Sequence, residues 1–164
     1  DESGCNTDMT RRYAYSLGGS RAVDSAPLSK PKNTTILSSI RLDGTLRYTT
    51  FSGGTTVERF ERYLETDLLP HLNGNSVLIM DNMKSYHARA VKNLLDSSGV
   101  RYIYLPPYSP DLNPIEKLWS KVKAFLRKFK ARTLDALPNA IQNAFHSVTV
   151  SDCSGWFRFC GYAL

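Results

Sequence analysis

The sequence predicts a mixed α/β domain, one sheet with helices packed against it, and three observations lead there. Two runs rich in β-branched and aromatic residues flank an Asp-Gly pair, which makes residues 34–51 an antiparallel hairpin. An unbroken apolar run, Val77-Leu78-Ile79-Met80, precedes a helical pattern and then a second strand-like run, a β-α-β order. From about residue 114 to 147 the apolar residues recur at helical spacing. A chain of 164 residues suits one such domain with its own core.

Each element has its own signal. Residues 34–41 and 46–51 form the hairpin strands, and Asp43-Gly44 between them favours a two-residue turn. Thr55 stands three residues before Glu58, the spacing of a capping box, and Val57, Phe60, Leu64 and Leu68 then repeat until Pro70. Residues 76–82 read as a strand buried on both faces and ending at Asp81. A helix follows over 86–98, with Ala90, Val91, Leu94 and Leu95 inward and Gly99 as its stop. Residues 100–105 are the next strand. Helices over about 114–130 and 134–147 come after it, the first with Ile115, Leu118, Trp119, Val122, Leu126 and Phe129 as its inner stripe. Residues 151–162 close the chain as a short helix whose aromatics pack, and the first strand carries Asp1.

Composition narrows the function classes. No apolar run reaches the ~18–20 residues of a membrane span, and no signal peptide is visible. Cys5, Cys153 and Cys160 make neither a disulfide framework nor a zinc spacing, so a reducing compartment is expected. A net charge of +6 favours a polyanionic partner.

Chemistry concentrates in three acids. Asp81 ends a strand at the carboxyl edge, where open α/β sheets place their ligands. Glu116 enters in the first turn of a helix, after a loop holding Pro106, Pro107, Pro110 and Pro114. Asp1 lies on or beside another strand. Three carboxylates converging from separate elements repel unless a cation sits among them, and all-oxygen ligation suits Mg²⁺ or Mn²⁺. Proline stiffens the loop, so Glu116 arrives with little entropy left to lose. Two plainer readings stay open at this point. Asn113-Pro114-Ile115-Glu116 also has the pattern of a capped helix start, and Asp81-Asn82 that of a turn.

The blocks DES (1–3), MTRRYA (9–14), NTTILSSI (33–40), VLIMDN (77–82), YLPPYSPDLNPIEKLWSKVK (104–123) and ARTLDAL (131–137) resemble the DDE transposases of bacterial insertion sequences, within the mariner-like superfamily. The resemblance implies an RNase H-like fold and a catalytic triad at Asp1, Asp81 and Glu116, with 34 residues between the last two. It also implies two divalent ions, Asp1 touching both, that cut one strand at the element's end and drive a 3′-hydroxyl into target DNA. Double-stranded DNA, as element ends and target, is then the partner, and a homodimer the working form of the full-length protein. The expected location is the bacterial cytoplasm at the nucleoid. Two departures stand out. Tyr86 occupies the place where the family usually has His, with His87 one residue late. The N-terminal helix-turn-helix and the front of the first strand are expected to lie outside this chain.

On the side of the helix continuing from Glu116 stand Ser120, Lys123 and Arg127, with Lys121, Lys128, Lys130 and Arg132 adding charge. Phosphates running over the acids would meet these cations, and Arg11 and Arg12 form a second candidate patch. Two other functional readings are a non-catalytic remnant that binds DNA or pairs with intact transposase, and a phosphatase or receiver domain with Asp81 as phosphoryl acceptor. The last needs a lysine and further acids that are not evident, and leaves the proline loop without a role.

Overall fold

The computed structural model describes residues 1–28 and 31–162. Strand β1 (Glu2–Cys5) runs antiparallel to β2 (Thr34–Ile40), which runs antiparallel to β3 (Leu46–Ser52). Asp1 extends the first ladder, its N–H donating to Ser38 O at 3.0 Å and its carbonyl accepting from Ser38 N at 2.9 Å. Strands β4 (Val77–Met80) and β5 (Arg101–Tyr104) pair in parallel as a second sheet. Among the described residues no ladder joins the two sheets. The alternation of β2 decides the layering. Ile36 faces a core shared with helices α3 (Ile115–Phe129) and α4 (Leu137–His146). Leu37, its neighbour, faces a second core built with α1 (Val57–Tyr63) and α2 (Arg89–Ser98). Both faces of β2 are therefore covered, as period-two side chains in a central strand require. Helix α5 (Val150–Phe159) closes the chain on a full capping box between Thr149 and Asp152.

Several local expectations shift. The Asp43-Gly44 turn is a three-residue loop: Gly44 N donates to Arg41 O, Arg41 N donates to Thr45 O, and Gly44 takes φ +86°. Glycine supplies that left-handed step without cost, as in a type I turn closed by a bulge. Helix α1 starts one residue later than the Thr55 signal, with Thr56 capping Arg59 N. It continues through a π turn (Leu64–Leu68) before Pro70 ends it. Strand β4 is not buried on both faces: only Met80 is buried, and Val77 is 40% exposed. A strand paired on one edge only leaves part of its surface open. Ala90 is exposed, so Val91 and Leu95 carry the inner face of α2. Phe129 is 44% exposed, because α3 ends there on Lys130 at φ +56° and turns away from the core. Gly99 does stop α2, at φ +69°.

Candidate active site

Asp81 sits one residue past β4, where the ladder ends with Leu105 N donating to Met80 O at 2.8 Å. The proline loop leaves from that same point. It passes Tyr108, fully exposed at φ +57°, makes a 3₁₀ turn at Pro110–Leu112, and delivers Glu116 in the first turn of α3. No side chain caps α3, so the capping-box reading of Asn113 and Glu116 does not hold. Glu116 is exposed and faces a cleft of about 440 Å³ that it shares with Asp81, Asn82 and the loop. A smaller cavity of about 120 Å³ behind it is lined by both Asp1 and Asp81. Asp81 thus borders both spaces, with Asp1 on one side and Glu116 on the other.

The electrostatics tie all three acids to one neighbourhood. The carboxylates of Asp81, Glu2 and Glu116 all lie near enough to Asp1 to act electrostatically on its backbone nitrogen. Asp1 is held by two donors: Trp119 Nε1 reaches Oδ2 at 3.1 Å and Glu2 N reaches Oδ1 at 2.6 Å. Asp81 differs. Its Oδ1 is buried without a hydrogen-bond partner. Among the described residues no three His, Cys, Asp or Glu side chains stand close enough to hold one ion jointly. The expected three-acid ligand shell is therefore not closed here. Asp1 is instead bonded to Trp119. The donor chemistry nonetheless fits a hard divalent cation, since the carboxylates of Asp1, Asp81 and Glu116 supply oxygen donors to the two adjoining spaces.

The basic residues divide into two groups. Lys123 and Arg127 line a cleft of about 370 Å³ together with Arg12, Asn6, Asp8 and Thr10. Arg11 and Lys128 are exposed. Lys121, by contrast, is tied to Asp152, Lys130 to Asp24, and the Arg132 guanidinium donates to the carbonyls of Thr7 and Met9. Those three are engaged by other parts of the protein, at surface contacts worth little stability each. His87 bonds Asn82 and stacks on Tyr104 with centroids 4.0 Å apart, so it does not turn in toward Asp81. Sequence reasoning missed Trp119 as the partner of Asp1, and Tyr162, whose hydroxyl donates to Leu112 O at 2.9 Å and pins the proline loop. An inward Trp in a helical stripe signals core, and nothing local shows which acid its N–H will meet.

The DDE superfamily endonuclease family matches residues 1–138. This chain belongs to that family. It is 29% identical over 97 residues to the transposable element Tc1 transposase of Caenorhabditis elegans, covering 57% of this chain and 36% of that protein. The Mos1 transposase paired-end complex with left transposon end has the same fold, with a TM-score of 0.80 at 19% identity over 96% of this chain and 50% of that one. The catalytic domain of Mos1 mariner transposase matches at a TM-score of 0.68 and 19% identity, over 77% of this chain and 68% of its own. The fold is therefore the RNase H-like one of the Mos1 catalytic domain, and Tc1 transposase is a relative by sequence. This chain spans about a third of the length of Tc1 transposase and half that of the Mos1 chain. The Mos1 transposase catalytic domain has been solved with Raltegravir and Mg and with Raltegravir and Mn. No helix among the described residues is long and apolar enough to cross a membrane.

Proposed function

We propose that this chain is the catalytic domain of a DNA transposase whose Asp1, Asp81 and Glu116 hold two Mg²⁺ or Mn²⁺ ions for strand cleavage and strand transfer. The observation that carries it is the position of Asp81, which borders one cleft with Glu116 and a second cavity with Asp1. When bound, paired divalent ions supply Lewis acidity and activate the attacking oxygen. The protein's part is positioning. The Trp119 and Glu2 N–H groups orient Asp1, the prolines set the reach of Glu116, and the Tyr162 hydroxyl fixes the loop between them. Duplex DNA, as element end and as target, lies across the cleft, with its phosphates on Lys123, Arg127, Lys128, Arg11 and Arg12. The full-length protein works as a homodimer. What supports the pairing is a stretch from Tyr13 to Leu28 in which Tyr13, Tyr15, Leu17, Val23 and Leu28 are all at least 88% exposed. Its place of work is the nucleoid of a bacterial host.

Thermal unfolding with and without Mn²⁺ tests the acid cluster, beside Asp81→Asn. A ligand at about 100 times its dissociation constant adds roughly 2.7 kcal/mol, or about 5–10 °C at this size. A rise in the parent that vanishes in Asp81→Asn is the expected result, and Asp81→Asn and Glu116→Gln then also lose DNA cleavage while staying folded. If either variant cuts DNA as well as the parent, the triad is wrong. No Mn²⁺ response with cooperative unfolding intact favours the DNA-binding remnant instead.

A further inference from the structure

Behind Asp81 lies a set of polar groups that the reading above does not use. Tyr86 Oη, Glu2 Oε2 and Asp81 Oδ1 are each shut away from solvent without a hydrogen-bond partner among the described residues. Tyr86 is completely buried. Its ring stacks on Phe60 with centroids 4.0 Å apart, and its carbonyl accepts from the Tyr104 hydroxyl at 2.8 Å, so the side chain is located from both ends. Tyr86 packs in the same buried cluster as Met80, the residue before Asp81, and Leu37, the register partner of Glu2, and the carboxylates of Asp81 and Glu2 both act on its phenol. Orphaned buried polar atoms are rare, and each needs an explanation. Here the inventory is complementary: one hydroxyl donor beside two carboxylate acceptors.

We propose that Tyr86 is a positioning residue for Asp81, its hydroxyl donating to the buried Oδ1 when the outer oxygen of Asp81 takes a divalent cation. The two groups are not bonded in the present arrangement, and cation binding is what brings them together. This inference rests on the acid cluster being a divalent-cation site. Its physical basis is that ligating carboxylates are oriented by an outer partner, whose removal typically weakens metal affinity by about 10–100-fold.

The test is a Mn²⁺ titration followed by thermal unfolding of the parent, Tyr86→Phe and Asp81→Asn. Tyr86→Phe keeps the ring and its stacking on Phe60 and removes only the hydroxyl. The metal-free melting point should hold or rise, because a buried unpartnered hydroxyl is gone. The apparent Mn²⁺ dissociation constant should weaken about tenfold or more. If the parent responds to Mn²⁺, Asp81→Asn does not, and Tyr86→Phe binds as tightly as the parent, the positioning role is wrong and the cation site stands. If the parent itself does not respond, the cation-site reading falls and takes this inference with it. A lowered metal-free melting point in Tyr86→Phe also overturns the proposal, since the hydroxyl would then serve the resting fold.

Discussion

The bond from Trp119 Nε1 to Asp1 Oδ2 joins residues 118 positions apart and couples α3 to the start of β1. Trp119→Phe removes that donor while keeping an aromatic ring against Phe145, which meets the indole edge-on at 6.5 Å between centroids. Losing a hydrogen bond to an ionised group costs about 1.5–3 kcal/mol, and the lower part of that range applies because Asp1 is partly exposed to water. Trp119 itself is only 4% exposed, so the smaller ring also gives up buried apolar surface. That loss is on the order of 40 Å², worth about 1 kcal/mol. The variant should therefore lose about 2.5–3 kcal/mol, and its melting point should fall by about 5–12 °C at this chain length. Only the hydrogen-bond part is shared with Asp1. A double-mutant cycle of Trp119→Phe and Asp1→Ala, read by urea unfolding, isolates it and should give a coupling of about 1–2 kcal/mol. A coupling below about 0.5 kcal/mol would refute the claim that Trp119 anchors Asp1.

Two further outcomes follow from the basic cleft and its floor. Lys123→Gln and Arg127→Gln should each lower the salt-dependence slope of duplex-DNA binding by about 0.9. Lys121→Gln should leave that slope alone and cost under about 1 kcal/mol of stability, since its partner is Asp152. Equal slope losses at Lys121 and Lys123, measured by fluorescence anisotropy across a salt series, would remove the cleft assignment. Beneath the cleft, burial pushes the Cys5 thiol up to about 11, with Lys123 acting weakly against it. A value raised in the folded state stabilises fully below the unfolded value of 9.0 and is lost as pH climbs from there through about 11. Urea unfolding against pH should show that decline in the parent and less of it in Cys5→Ala. Identical profiles would count against the burial of an un-ionised thiol.

Much of the fold was legible because its signals are local. Two apolar periodicities, an Asp-Gly turn, Gly99 after α2 and a proline-bounded helix start are each written within a few residues, and the elements lie where those signals put them. The errors are local as well. Thr55 and Thr56 are chemically alike, so only the helix's actual first turn chooses between them. Val77 reads as buried from its neighbours in sequence, yet its exposure depends on which edge of β4 finds a partner.

The sequence by itself indicated the element types, the α/β order and three candidate acids at the spacing that carries the family likeness. Side-chain chemistry and short-range periodicity are sufficient for all of these. The tertiary structure alone decided which groups stand beside those acids. Trp119 reaches Asp1, Tyr162 pins the loop before Glu116, Tyr86 is fully buried, and Lys121 is taken by Asp152 while Lys123 and Arg127 line the cleft. These partnerships join residues from separate elements, some more than a hundred positions apart. Direction and distance in the packed state choose among chemically equal candidates, and no local pattern encodes either.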